Sequence, residues 1–473
     1  MTSRRLVTVS GTDWHDIGIQ LANQVSEKSC FAYRFDRAIH EDDVAIQDLW
    51  RLSLAPKAEQ SMKLNTPLAY QLCSGFDTVF RTKGDGFSVW ELLTLYEVDM
   101  FLHEFHYKCR YCKGRVMQTP RYVCSTCHPD STGSDKEESP VEKKKAPRVT
   151  KAKKQKRVED FSVCSGCITV NPRCEECSSA LNPTTVLHET EGLGIANKSG
   201  CTGFGYRDAQ KYLCGQTLEM STDTYNYGRF DTIYRLENTG TKHTVLVYDV
   251  GCILSPFGIN SKQVGLCVFN LYNSDYALPP YTDKEDRVPM AALQWEILLG
   301  NLVNIPDIVK FLRHGGRGIQ TFTSASFILA SPTNCDTQVI EISANEHWVP
   351  PVDPSDTEDN HSAAVLQLGD GQKCIVRANN CLAGSSLHGT ESLPPNISSA
   401  ERQKDLTSSC RNSAGVNSEW AKDALSTATI QTAYCLGTII MEPRDLRIHV
   451  RFRVGTRISS TLKDGGKWET FTV

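Results

Sequence analysis

The pattern of apolar residues changes at position 200, and that change limits the fold more than any other feature of the chain. Downstream, segments 230–237, 243–250, 263–273, 326–331, 338–343, 374–382, 428–441 and 446–454 are rich in Val, Ile, Thr, Phe and Tyr. Such residues suit half-buried pleated strands. Helical patterns interrupt them at 289–300 and 304–314, the second with Asn304 as cap and Pro306 in its first turn. Glu442-Pro443-Arg444-Asp445 reads as the turn of the last hairpin. Upstream, Leu6–Ser10 reads as a strand. A helix follows, with Ile17, Ile19, Leu21 and Val25 among its apolar positions, and a second helix runs over 89–106. Strands in pairs flanked by helix pairs predict an α+β chain, with two stacked antiparallel sheets and helices outside them. That is a four-layer αββα sandwich.

Bulk properties exclude several alternatives. The chain has 473 residues, 40% hydrophobic and 22% charged, with a net charge of −4, enough for a large core and more than one unit. It has no apolar run of membrane-spanning length. MTSRRLVTVSGTDW carries two arginines and no apolar stretch of the secretory kind. Thr470-Phe471-Thr472-Val473 is no peroxisomal address. The expectation is a protein without a membrane span in the cytoplasm, with nucleus and mitochondrion left open.

Cysteine usage adds a second element. In a chain of this size without a secretory signal, the 19 cysteines read as free thiols and metal ligands rather than a disulfide framework. Eight form four Cys-x-x-Cys pairs: Cys109 with Cys112, Cys124 with Cys127, Cys164 with Cys167, and Cys174 with Cys177. Each pair places two thiolates on a tight turn, and two such turns complete a tetrahedral zinc site with no open position. The pairs predict two structural Zn2+ sites. Sequential and cross-braced pairings both fit the spacing. A redox Cys-x-x-Cys normally occurs once, beside a βαβ unit. Between the second and third pairs, 128–160 lacks apolar periodicity and reads as a disordered linker. Its stretch 136–157 carries ten Lys/Arg and three Glu, a local charge of +7. Such a run suits nucleic-acid phosphates, a nuclear-localisation signal or a solvated linker equally. It lacks the aromatic residues of a base-stacking platform.

The remaining motif is Gly200-Cys201-Thr202, in SGCTGFGY, followed by Gly215-Gln216-Thr217-Leu218-Glu219. With it stand VGCILSPFGINSKQVGLCVFN at 250–270, SASFILAS at 324–331, Ala378-Asn379-Asn380-Cys381-Leu382 and STATIQTAYCL at 426–436. VSGTDWHDIGIQLANQ and the 87–107 helix extend the match upstream. In these pieces the chain resembles the acyl-CoA:6-aminopenicillanic acid acyltransferase family, which includes isopenicillin N acyltransferase and carcinine-hydrolase-like relatives. These are cysteine N-terminal-nucleophile hydrolases. The likeness spans most of the chain, apart from 108–180 and low-complexity loops near 351–364 and 383–425.

The resemblance divides the chain into a mostly helical pre-nucleophile region (1–107), an inserted zinc-ribbon-like module (108–180), a connector (181–200) and an αββα hydrolase core (201–473). It implies self-cleavage between Gly200 and Cys201, after which Cys201 is nucleophile and its free α-amine the base. Those two groups titrate at about 8.5 and about 7.7–8.0. It implies Asn379 as oxyanion donor, with Thr202 assisting locally, and a thioester that passes an acyl group to water or an amine. The implied substrate is a small-molecule amide or an acyl-CoA-type compound. Two positions depart from the family. Glu219 stands where the family has aspartate, and the family's late-strand arginine falls on Ser426, a position expected to meet substrate. Gly251-Cys252 and Gly166-Cys167 are Gly-Cys pairs without that context. The competing reading is a catalytically degenerate scaffold, whose zinc module and basic linker bind protein or nucleic acid.

Overall fold

The computed structural model describes residues 6–25, 54–83, 88–94, 121–123, 182–184, 200–219, 232–249, 253–271, 287–312, 320–321, 325–332, 336–342, 363–367, 372–379, 397–413, 415–427, 429–430, 435–452 and 466–473. The chain forms two compact units, one of 1–99 with 198–473 and one of 100–197. The eight cysteines expected to hold zinc are Cys109, Cys112, Cys124, Cys127, Cys164, Cys167, Cys174 and Cys177, and all of them lie outside the described residues. So do the basic linker and most of the 89–106 helix.

Along the chain, strand β1 (Leu6–Gly11) leads into α1 (Trp14–Val25), and α2 (Ala55–Asn65) and α3 (Pro67–Lys83) follow. Residues 89–94 are helical and start on a capping box. Ser88 Oγ accepts from Glu91 N, and Glu91 Oε2 accepts from Ser88 N. The second unit contributes one antiparallel pair, β2 (Arg121–Val123) and β3 (Asn182–Thr184). Then come β4 (Thr202–Arg207), β5 (Tyr212–Glu219), β6 (Thr232–Asn238), β7 (His243–Asp249), β8 (Phe257–Asn260) and β9 (Gly265–Asn270). Next are β10 (Arg287–Val288), α4 (Met290–Leu299), α5 (Ile305–Leu312), β11 (Gln320–Thr321), β12 (Ala325–Ser331) and β13 (Asp336–Ile342). The chain closes with β14 (Ala363–Gln367), β15 (Cys374–Arg377), α6 (Ile397–Arg411), α7 (Ser418–Ala424), β16 (Cys435–Glu442), β17 (Arg447–Phe452) and β18 (Trp468–Thr472).

Two large sheets organise the first unit. One runs β1-β6-β7-β8-β9-β12-β13-β14 and the other β15-β4-β5-β16-β17-β18. Their inner faces meet. A Cβ on Gly203 would press on Phe269 of β9, and one on Gly205 would strike Thr337 of β13 and Ile328 of β12. Glycine at both positions lets β4 lie against the opposite sheet. Gln216 of β5 adds a polar brace, donating to Val268 O and accepting from Val268 N across 3.2 and 2.7 Å. Helices α6 and α7 contact the six-stranded sheet, while α1 and α4 contact the eight-stranded one. Every residue of α4 is buried, as expected of a helix apolar on all sides with further structure beyond it.

Most strand and helix positions read from the sequence recur within a few residues. Asn304 caps α5, its Oδ1 accepting from Asp307 N. Four readings change. The first strand is not antiparallel to its neighbour: β1 pairs parallel with β6, Leu6 opposite Ile233. The strand read over 374–382 stops at Arg377. Part of the supposed loop 383–425 is helical, as α6 and α7. The free-thiol expectation fails for one pair. Cys374 on β15 and Cys410 on α6 form a disulfide, because strand and helix bring their Cα atoms to 6.5 Å.

Candidate active site

The hairpin of β4 and β5 sets out the Gly200–Thr202 segment. Its turn is closed by Asp208, whose Oδ1 accepts from the N–H groups of Gln210 and Lys211. The register places Thr202 opposite Thr217, so Cys201 lies across from Leu218, one residue before Glu219. Thr217 Oγ1 accepts from Thr202 N across 3.2 Å and donates to Thr202 O across 3.3 Å. The backbone just after Cys201 is thereby held on both of its polar groups.

Cys201 is 6% exposed, and Gly200 and Thr202 are buried with it. The N–H of Glu219 points at the Cys201 sulfur. Burial pushes the thiol up to about 11, and the Glu219 carboxylate adds to the rise. The Glu219 N–H and the Arg402 guanidinium oppose it. At neutral pH the side chain is therefore a thiol, and its proton must move as it reacts. Behind it on β9, Cys267 is driven well above the ordinary thiol range by burial and by its neighbours Cys214 and Cys201.

Asn379 reaches the same point from the strand on the other side of β4. β15 pairs with β4, Arg377 opposite Gly203. Two residues on, Asn379 is fully buried, its N–H donating to Ser399 Oγ across 2.8 Å. Its Oδ1 accepts from Arg402 Nη2 across 3.1 Å, and Arg402 Nε donates to Thr202 Oγ1 across 2.8 Å. A Cβ on Gly200 would run into Asn379 Oδ1 and Arg402 Nη2. Gly200 is the residue that lets the junction approach them.

Gly200, Cys201, Thr202, Glu219 and Asn379 therefore converge. Ser426 is engaged elsewhere. Its hydroxyl donates to Lys422 O across 2.5 Å and accepts from Arg451 Nη1 across 2.9 Å. The guanidinium at the junction comes instead from Arg402, which with Ser399 escaped the sequence reading. Their region reads as loop in the sequence, and nothing in the linear pattern singles them out. Among the described residues, no group of three or more His, Cys, Asp or Glu is placed to hold a metal ion. The eight paired cysteines, from Cys109 and Cys112 to Cys174 and Cys177, are not among those residues.

No protein-family model matches the chain, and no curated protein does. Among solved structures, it is similar to a Caenorhabditis elegans N-acylethanolamine-hydrolyzing acid amidase ortholog. The identity is 16% and the TM-score 0.36, over 51% of this chain and 93% of that one. It is also similar to penicillin V acylase from Agrobacterium tumefaciens. Here the identity is 14% and the TM-score 0.31, over 57% of this chain and 90% of that one.

Proposed function

We propose that the chain cuts itself before Cys201 and then acts as a cysteine amide hydrolase or acyltransferase of the N-terminal-nucleophile type. The observation that carries this is the convergence on one peptide bond of a buried thiol, a carboxylate and a side-chain amide. Helices on the outer faces of two facing sheets support the αββα arrangement of that class. In the first step Cys201 Sγ bonds to the Gly200 carbonyl carbon. The Gly200–Cys201 C–N bond breaks, and the thiol proton ends on the departing nitrogen. Glu219, whose charge acts on the sulfur, relays that proton in this reading. Asn379 Nδ2 is the donor for the carbonyl oxygen as it gains negative charge. Water then hydrolyses the thioester, leaving a Gly200 carboxylate and a free Cys201 α-amine. That amine titrates near neutrality and serves as base when the thiol attacks a substrate carbonyl.

The substrate class is a small amide or an acyl thioester, with water or an amine as acceptor. We propose further that the four Cys-x-x-Cys pairs hold two structural Zn2+ ions, and that the zinc module with its basic linker engages a protein or nucleic-acid partner. Purified protein should run as fragments 1–200 and 201–473, with Cys201→Ala remaining full length. A wild type that stays single-chain and ignores thiol-directed acylating probes would instead support the degenerate scaffold. Elemental analysis tests the zinc separately, and fewer than two metals per chain would refute two closed sites.

A further inference from the structure

We infer that Arg402 is the positioning residue of the Gly200–Cys201 junction: its guanidinium fixes which way the Asn379 amide faces and holds Thr202, the residue after the nucleophile. This rests on the self-cleavage reading above. A guanidinium has five N–H donors and no acceptor. The atom of Asn379 that meets Arg402 Nη2 must then be the oxygen, and Nδ2 is turned to the other side. An amide rotated by half a turn would set two donors against each other in a fully buried site. Such a mismatch would leave buried donors without an acceptor, and that penalty holds one orientation.

The same planar group spans the junction. Nε donates to Thr202 Oγ1 while Nη2 donates to Asn379 Oδ1, so the residue after the nucleophile and the amide beside Gly200 are fixed by one rigid fork. Ser399, one helical turn earlier on α6, accepts the Asn379 N–H. Helix α6 thus holds Asn379 by backbone and side chain together. Arg402 is 1% exposed, and a cation buried so completely is costly without specific partners. Among the described residues, the charged and titratable groups that act on the Cys201 sulfur are Glu219 of β5, Arg402 of α6 and Cys267 of β9. Arg402 is the cation among them.

Two attributes of Arg402, charge and fork geometry, can be separated by substitution. The full chain is made by pulse-labelled translation, and conversion to the 201–473 fragment is followed over pH 6 to 10 (roughly the range that brackets ordinary thiol titration). Arg402→Met should slow conversion by about 10²-fold, the loss typical of a misplaced oxyanion donor, and move its pH dependence upward. Arg402→Lys keeps the charge but cannot bridge both oxygens, so conversion should stay slow while the pH dependence returns towards that of wild type. If Arg402→Met fails to fold by circular dichroism, the lysine variant alone decides. A lysine variant converting at the wild-type rate overturns the inference, as does a folded methionine variant with wild-type rate and pH profile. A wild type that never converts overturns the self-cleavage reading itself, and this inference with it.

Discussion

Arg377 of β15 and Glu341 of β13 form an ion pair that crosses between the two sheets, with side chains 3% and 0% exposed. Removing one partner strands a charge in the interior, whereas replacing both with apolar residues removes the desolvation cost as well. Glu341→Ala should destabilise the fold by about 3–5 kcal/mol, read as a lower urea midpoint. The double variant Arg377→Met/Glu341→Leu should regain most of that loss. A double variant as unstable as the single would mean that the pair contributes through packing alone.

Glu296 on α4 gives stability a pH dependence. Its Oε2 accepts from Leu68 N and Ala69 N at the start of α3, across 2.8 and 2.9 Å. Burial nonetheless pushes the carboxyl up to about 7, the two N–H groups only partly offsetting it. The folded chain therefore binds this proton more tightly than the unfolded chain. Its contribution is largest below the unfolded value of 4.5 and is lost as pH rises through about 7. Glu296→Gln keeps the acceptor and removes the titration. The drop in melting temperature between pH 5 and pH 8 (on the order of the two limits of that window) should shrink in the variant. An unchanged drop would assign it to other groups.

The Cys374–Cys410 bond closes a loop of 36 residues, a length for which the chain-entropy account gives about 3–4 kcal/mol. Because α6 also carries Ser399 and Arg402, loss of the bond should cost more than stability. Cys374→Ser/Cys410→Ser should lower the melting temperature and slow conversion to the 201–473 fragment. A dithiol reductant, oxidised as the bond opens to two thiols, should do the same to wild type. Lower stability with unchanged conversion would confine the bond to a structural role.

Gly200→Ala tests how closely the junction is held. The added methyl would meet Asn379 Oδ1 and Arg402 Nη2, so it should displace the groups proposed to act on the carbonyl. Conversion should fall about tenfold or more, equivalent to ~1.4 kcal/mol of barrier. Conversion at the wild-type rate would show that the amide and guanidinium can withdraw without consequence.

The strands after position 200 were legible because alternating and continuous apolar runs report burial directly. That Gly200 and Asn379 lie together was foreshadowed by motif resemblance rather than by periodicity. Helix α6 was not, and its buried face explains why. Ser399, Arg402, Leu406 and Cys410 recur at helical spacing and are all buried, yet only Leu406 reads unambiguously as apolar. A helix whose core face is spent on a hydroxyl, a guanidinium and a disulfide looks like polar loop. The Cys374–Cys410 pairing was hidden for a related reason, since connectivity does not follow from sequence. The parallel register of β1 carries no local signature either, because strand direction is set by the connection and not by the strand. Ser426, where the resemblance puts the family's late-strand arginine, has its hydroxyl hydrogen-bonded to Lys422 and Arg451, partners that no linear motif announces.

The parallel edge strand β1 has a bearing on what a cut before Cys201 would produce. β1 is hydrogen-bonded to β6, and α3 is capped by Glu296, so each partnership joins a residue before 200 to one after it. Both members of the one disulfide among the described residues lie after the junction. The severed pieces would thus share one sheet and one helical layer with no covalent tie among those residues. Cleavage would make a two-chain heterodimer rather than liberate a propeptide. Its unfolding would become a dissociation, with a midpoint that rises with protein concentration, whereas the uncut Cys201→Ala chain would melt at one temperature whatever its dilution. Assembly as a single molecule would be available to the precursor alone.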